Sequence, residues 1–480
     1  MTTNNDCLLT DHYQLTMSAA YYTKKLTDKN ATFSLFVRKL PENRNFLVAA
    51  GLEQALDYLE NLHFEKEHID WLSKRPEFAH ADKTFFTEYL PNFKFSGAVR
   101  AVSEGTPIFP NEPILEVTAP IIEAQLVESM LLSTFAGQTM VASKAARIVH
   151  AAQKRPVTDF GLRRAHEPHA GLYGARAAYL AGCAATSNDL AGFLWGIPVT
   201  GTMAHSYIQT YGDEKKAFAD YAEVYPDFMV ALIDTYNPIA GAINASELGE
   251  LLKAVRIDSG DLAKNARNVR RALDKHGLKD TKIVASSDLN EYKIEELVAS
   301  KYSQNRGPID LFGVGTELMV SKDAPSLGIV YKLVEFDNKP RIKLSEGKVT
   351  YPGRKQIYRI YDGQNSHDIL ALEDEVLEGT PLLHDVMTDG KRIDTQKSVH
   401  KIRDYCLKQQ EKLPSHILCL KKTEPYKVRV SPQLEKLTNK LSLDYHVSVF
   451  NPTRFRGITH YPCIGGRWRT RTHWDSLYER

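Results

Sequence analysis

Three apolar segments that each run into a short polar turn constrain this chain more than any other feature. They read AVRIDSGDL (254–262), KIVASSDLN (282–290) and IDLFGVGTEL (309–318), and their apolar parts end near Asp258, Ser286 and Gly313. Those ends lie 28 and 27 residues apart, the length of a strand, a turn, a helix and a return loop. The spacing predicts successive βα units feeding a parallel sheet. Helix start signals fall between the strands: Asp261 or Ser259 before LAKNARNVRRALDKHG, and Asp288 with Glu291 as a D-x-x-E capping box before YKIEELVAS. Four earlier segments extend the rhythm, namely VTDF (157–160), AATSN (184–188), IPVTGT (197–202) and FMVALIDTY (228–236). Seven such strands with their polar turns on one edge predict an α/β barrel, irregular or incompletely closed. An open doubly wound sheet is the alternative on spacing alone.

The flanking sequence has a different texture. Residues 6–23 are expected to form a helix with Tyr13, Met17, Ala20 and Tyr21 on one face and Asp11 as its cap. The proline-broken stretch 93–117 predicts a small antiparallel layer, so residues 1–120 are expected to form an α+β domain. The segment 121–153 predicts a long connecting helix between two cores, bent at Gly137, and 154–326 the barrel. From Leu327 the alternation returns, and 327–441 is expected to rejoin the N-terminal domain, ending in helices over 395–412 and 431–441. Residues 442–480 form a basic tail; 451–480 hold six Arg against one Asp and one Glu, which predicts a disordered or loosely docked segment.

Lys and Arg exceed Asp and Glu by only 61 − 59 = 2, so no global field favours nucleic acid or a membrane surface, and any anion site must be local. The start lacks the basic and apolar regions of a signal peptide, no stretch of about 18 apolar residues occurs, and a cytoplasmic location is expected. The five cysteines (7, 183, 406, 419, 463) form no C-x-x-C pair; they read as reduced packing residues rather than metal ligands.

Four turns offer chemistry on the predicted edge. In DFGLRRAHEP (159–168), Arg163 or its neighbour can grip a planar carboxylate by two parallel hydrogen bonds while Phe160 presents a ring face, against a plain reading as a solvated Arg pair. In GTMAHSYIQTY (201–211), His205 falls in the first turn of a helix, as base, donor or nucleophile toward a phosphoryl group; a lone His is more often structural. RIDSGDL (256–262) places Arg256 inside a strand with Asp258 and Ser259 after it, either as a structural salt bridge or as a phosphate and sugar site with a magnesium-bound water. FGVGTEL (312–318) is a Gly-x-Gly-Thr turn whose amides and Thr316 hydroxyl can cradle phosphate. The run with Lys343, Lys348, Arg354 and Lys355 reads as a solvated hairpin rather than a phosphate clamp.

Taken together, LLTDHYQLTM, VASKAARI, FGLRRAH, GARAAYLAG, GTMAHS, RIDSGDL, SSDLNE, FGVGTEL and KLSEGKVTYPGRKQIYR resemble the nicotinate phosphoribosyltransferases over residues 6–440. The resemblance implies an irregular α/β barrel packed against an α+β domain formed from N- and C-terminal segments, in a homodimer with shared active sites. It implies that nicotinate and phosphoribosyl pyrophosphate give nicotinate mononucleotide and pyrophosphate, coupled to ATP hydrolysis through a phosphohistidine, with Mg2+. Carried over, it assigns Tyr13 of the neighbouring subunit and Phe160 to the two faces of the pyridine ring and Arg163 to its carboxylate. His205 becomes the phosphorylated residue. Arg256, Asp258 and Ser259 then hold the phosphoribosyl pyrophosphate, and Gly313, Gly315 and Thr316 its 5′-phosphate; Thr202 is counted among the substrate-binding residues. The HEPHAG segment, with Glu167 and His169, is bulkier than the resemblance leads one to expect, and the tail has no counterpart in it. The rival readings are a nicotinamide-using enzyme, against which Arg163 argues, and a catalytically silent binding protein on the same fold.

Overall fold

The computed structural model describes residues 7–299, 306–345, 350–393 and 395–450. Six short parallel strands form one sheet, in the order Ala185–Thr186, Val157–Asp159, Leu311–Val314, Lys282–Ala285, Ala254–Ile257, Val230–Leu232. The decisive pairing joins the last strand to the first: Phe312, Gly313 and Val314 lie beside Val157, Thr158 and Asp159. An open doubly wound sheet does not close its last strand onto its first, so the sheet is an incomplete barrel. The seventh expected strand, 197–202, contributes only a parallel bridge between Thr186 and Val199. Between Val199 and Val230 the barrel stays open.

A seven-stranded sheet carries the second core. Its strand Asn30–Val37 is flanked by Pro113–Pro120 on one side and by Ile329–Phe336 on the other, both antiparallel. Ala98–Val102 and Leu383–Thr388 extend it. The two ends of the chain therefore build one α+β domain. A four-stranded sheet around Lys355–Ile360 and His367–Leu372 packs beside it.

The connecting helix is broken at Val127, between Ile121–Leu126 and Glu128–Ala151; Gly137 sits within the second part without ending it. Its amphipathicity changes sides along its length. Leu131, Phe135 and Met140 enter the α+β core, while Val141, Ala142, Ala145 and Ile148 enter the barrel core. A helix apolar on both sides belongs between two cores, because each face has somewhere to go.

Several local expectations change. The first helix, His12–Thr23, buries Gln14, Leu15, Ser18 and Ala19 and leaves Tyr13 and Ala20 exposed. The buried Gln14 is satisfied by Glu128 and Gln125, so polar residues occupy the face that apolar spacing assigned outward. Asp11 stands at the N-cap position, but its carboxylate accepts from Ser129 Oγ at 2.7 Å. Asn290, not Asp288, caps the helix Glu291–Val298, accepting from Tyr292 and Lys293 N–H. Glu291 is instead drawn into a buried cluster, with Lys144 Nζ at 2.5 Å and Arg147 Nε at 3.0 Å. Lys144 also meets Asp323 at 2.9 Å, and Arg44 grips Asp323 with two nitrogens. Lys355 is no solvated hairpin residue: it is buried and paired with Glu116 at 3.3 Å. Of the cysteines, 7, 183 and 406 are buried and Cys419 is exposed. The last helix runs Pro432–Phe450, past the expected end. Lys348, Cys463 and the rest of the tail lie outside the described residues. Among the described residues no helix is long and apolar enough to cross a membrane.

Candidate active site

Every parallel strand delivers a polar residue to the same edge, because the chain leaves the sheet there and its next residues are free to turn. Arg256, within Ala254–Ile257, is the hub. Its Nε donates to Ser286 Oγ at 2.9 Å, one terminal nitrogen to Thr202 Oγ1 at 2.7 Å, and the other to Asp258 Oδ2 at 2.9 Å. The guanidinium carbon lies 5.6 Å from the centre of the Phe160 ring, within reach of a cation–π contact. Residues from three strand ends and from the bridged segment 197–202 are thereby tied to one cation.

His205 is the first residue of the helix His205–Tyr211. Its Nδ1 lies 3.1 Å from Thr235 Oγ1, and its Nε2 faces Asp258 Oδ2 at 3.8 Å. When Nδ1 donates to Thr235, the lone pair rests on Nε2, at the mouth of the cluster. Ser259 Oγ donates to Asp234 Oδ2 at 2.5 Å, and the Asp258 N–H donates to the same oxygen at 2.8 Å. The other oxygen of Asp234 is buried without a partner. Asp234 and Ser286 belong to this cluster, and the sequence reading did not assign them.

The Phe160 turn is held from beneath. Asp159 accepts from the Gly161 N–H and from Thr186 Oγ1, each at 2.8 Å. Burial pushes its carboxyl up to about 6, against the pull of those two donors. The Phe160 N–H donates to Val314 O at 2.8 Å, which ties this turn to the Gly313–Thr316 turn. Gly313 is needed for close approach: a Cβ there would overlap the Phe160 ring. Thr316 opens the four-residue helix Thr316–Met319. Thus Phe160, Thr202, His205, Arg256, Asp258, Ser259, Gly313 and Gly315 form one connected rim.

Two predicted residues stand apart. Arg163, in the short helix Leu162–Arg164, is exposed and makes no contact with the Arg256 cluster. Tyr13 is exposed on the α+β domain, its hydroxyl pushed up to about 12 by burial and then by the Glu128 charge. Among the described residues no group of three or more His, Cys, Asp or Glu gathers as a metal cage. Magnesium, however, retains waters and takes one or two carboxylates together with substrate phosphates. The unpartnered oxygen of Asp234 beside Asp258 fits that demand.

Known proteins share this arrangement of sequence and fold. Residues 8–136 match the nicotinate phosphoribosyltransferase (NAPRTase) N-terminal domain, and residues 377–438 the nicotinate phosphoribosyltransferase C-terminal domain. A nicotinate phosphoribosyltransferase of Mycobacterium tuberculosis is 43% identical over 436 residues, 89% of this chain and 92% of that protein. The chain belongs to the nicotinate phosphoribosyltransferase family. It is an enzyme of this kind. The Bacillus subtilis relative is also 43% identical, over 77% of this chain and 76% of its own length. The crystal structure of human nicotinic acid phosphoribosyltransferase superposes with a TM-score of 0.77 at 27% identity, over 90% of this chain and 99% of that one. The nicotinate-nucleotide pyrophosphorylase of Pyrococcus furiosus gives 0.69 at 28% identity, over 84% and 94%.

Proposed function

We propose that the Arg256 rim joins nicotinate to phosphoribosyl pyrophosphate, and that ATP is hydrolysed there through His205. The observation that carries this reading is the single guanidinium held by Thr202, Ser286 and Asp258 against the Phe160 ring. In the reaction the pyridine nitrogen attacks the anomeric carbon, the bond to pyrophosphate breaks, and the leaving oxygens carry off the electron pair. The nucleophile is already a neutral ring nitrogen, so no strong base is required. The protein positions the two substrates and stabilises the leaving pyrophosphate. Arg256 supplies charge, and the amides of the Gly313–Thr316 turn hold the 5′-phosphate. Asp234 and Asp258 would hold a magnesium ion, which when bound neutralises phosphate charge. Arg163, exposed on the short helix Leu162–Arg164, takes the nicotinate carboxylate and disfavours the neutral amide.

In the ATP half-cycle, His205 Nε2 takes the γ-phosphoryl group as ADP leaves, and water later removes it. Thr235 holds Nδ1 during both steps. A neutral carrier becomes an anion 3.8 Å from Asp258, and that repulsion links phosphorylation to the Arg256–Asp258 pair that binds substrate. The assembly is a homodimer with Tyr13 completing the partner's site. Supporting this, Tyr13 is 48% exposed on the α+β domain, and Leu190, Phe193 and Leu194 stand exposed on the helix Asp189–Trp195 near the open seam. Sedimentation showing a monomer at assay concentrations would remove the shared site.

The test is nicotinate mononucleotide formation with and without ATP. We expect His205→Ala to keep basal turnover and lose ATP stimulation. Full stimulation in that variant overturns the phosphohistidine. Preference for nicotinamide over nicotinate overturns the substrate assignment.

A further inference from the structure

The helix Glu128–Ala151 packs against the two short helices that follow turns of the rim, Glu291–Val298 and Thr316–Met319. Lys144 stands at this junction with its side chain 1% exposed, and its ammonium meets three carboxylates. Glu291 Oε2 lies at 2.5 Å, Asp323 Oδ1 at 2.9 Å and Glu317 Oε2 at 3.8 Å. Arg147 reaches Glu291 from the next turn of the same helix, and Arg44 joins Asp323 from the α+β domain. Burial alone would raise the Glu291 and Asp323 carboxyls. Lys144 and Arg147 on the first, and Arg44 and Lys144 on the second, hold both below the usual carboxylate range, so each stays charged.

Such a cluster is a poor source of stability, because the cost of taking its charges out of water offsets most of their attraction. What it supplies is position, since moving any one member strands the charge of another. Two of its carboxylates belong to the turns of the rim. Glu291 follows Ser286 by 291 − 286 = 5 residues, and Glu317 follows Thr316 directly. The chain between Ser286 and Glu291 is strained: Ser287 and Asp288 have φ of +105° and +42°, a region that side chains rarely adopt. Ser321, at φ +40°, lies beyond Glu317, and its hydroxyl accepts from Arg44 at 3.1 Å. Conformations of this kind persist only where the surroundings over-determine them, and they gather at binding sites.

We propose, on the reading that the rim binds phosphoribosyl pyrophosphate, that Lys144 is a positioning residue for that substrate. Its ammonium fixes the spacing between the Ser286 turn, which orients Arg256, and the Thr316 turn, which takes the 5′-phosphate. Buried as it is, Lys144 does not itself meet a substrate; it acts through Glu291 and Glu317. The Phe160 turn is fastened separately, by Asp159 and the Val314 carbonyl, so the nicotinate side of the rim is spared.

Steady-state kinetics of Lys144→Met, which keeps the length of the side chain and removes its charge, provide the test. The KM for phosphoribosyl pyrophosphate should rise about tenfold, with kcat and the KM for nicotinate nearly unchanged. Glu317→Gln, at the outer margin of the cluster, should raise the same constant about threefold, and it decides the matter alone if Lys144→Met does not fold. A salt bridge that only fastens would cost thermal stability and leave both KM values in place. Unchanged KM values, an equal rise for both substrates, or a fall in kcat alone each overturns the proposal. Arg256→Leu, measured alongside, separates the two readings. If kcat/KM for phosphoribosyl pyrophosphate survives there, the rim reading is lost. If it falls there while Lys144→Met and Glu317→Gln leave the KM unchanged, only the role of Lys144 is lost.

Discussion

Arg256–Asp258 and Arg359–Asp368 are the same pair of side chains placed in opposite surroundings. Arg359 and Asp368 are 1% and 0% exposed, bonded at 2.6 and 2.9 Å. Their remaining needs are met by the Pro107 carbonyl and the Tyr426 hydroxyl, and the stacked rings of Phe109 and Tyr426 lie beside them. Arg256 and Asp258 are 12% and 23% exposed and share the Ser286 hydroxyl as a partner, with His205 alongside. The first pair is saturated and dry; the second is held in shape by hydroxyls that a phosphate can replace. A hydroxyl gives up its hydrogen bond cheaply, whereas a buried carboxylate does not. On the proposed reading, that difference separates a fastening from a binding group.

The sharpest break of this comparison is a matched pair of truncations. Arg256→Leu should lower kcat/KM by about 10²–10³, as loss of a positioned charge donor does, and shift the thermal midpoint little. Arg359→Leu should do the reverse: a loss of about 3–5 kcal/mol of stability, from stranding Asp368, with turnover per folded molecule retained. If the two swap outcomes, the distinction fails.

Asp159 probes the layer between the two extremes. Its carboxyl is raised, so the folded state holds the proton more tightly than the unfolded chain does. Stability should therefore be fully present below pH 4 and fall as pH rises towards about 6. Asp159→Asn cannot titrate. Relative to the unmodified chain, it should gain about 2–3 kcal/mol between pH 4 and pH 7 in urea denaturation. Parallel curves for the two proteins would show that the group does not titrate in this window.

Gly313→Ala is the mildest change. The added methyl must displace the Phe160 ring, at a cost of about 1–2 kcal/mol. The KM for nicotinate should rise roughly tenfold, the kinetic equivalent of about 1.4 kcal/mol, with that for phosphoribosyl pyrophosphate nearly unchanged. Equal effects on both would place the ring elsewhere than on the base.

Strand spacing and strand-end turns were legible because both are local: a βα unit has a fixed length, and its polar turn follows directly. Asp234 carried the same mark, standing at the end of Val230–Leu232 as Asp258 does at the end of Ala254–Ile257. Comparing the strand ends with one another would have found it. Lys144 and Arg147 could not be assigned in this way. Their partners Glu291 and Asp323 lie more than a hundred residues along the chain, and no periodicity marks a contact of that range. The face of the first helix was misread for a related reason. Gln14 is buried only because Gln125 and Glu128 await it.

The strand Asn30–Val37 has one partner in Pro113–Pro120 and the other in Ile329–Phe336, so Ala31 meets a residue 336 − 31 = 305 positions later. At a synthesis rate of about 5–20 residues per second, the ribosome takes roughly 15–60 s to deliver it. Until then one margin of the nascent sheet has no neighbour, and the emerging barrel must be threaded into place before the gap is filled. Birth of this enzyme is thus a timed event: its earliest strand waits for its second neighbour until some three hundred more residues have been made.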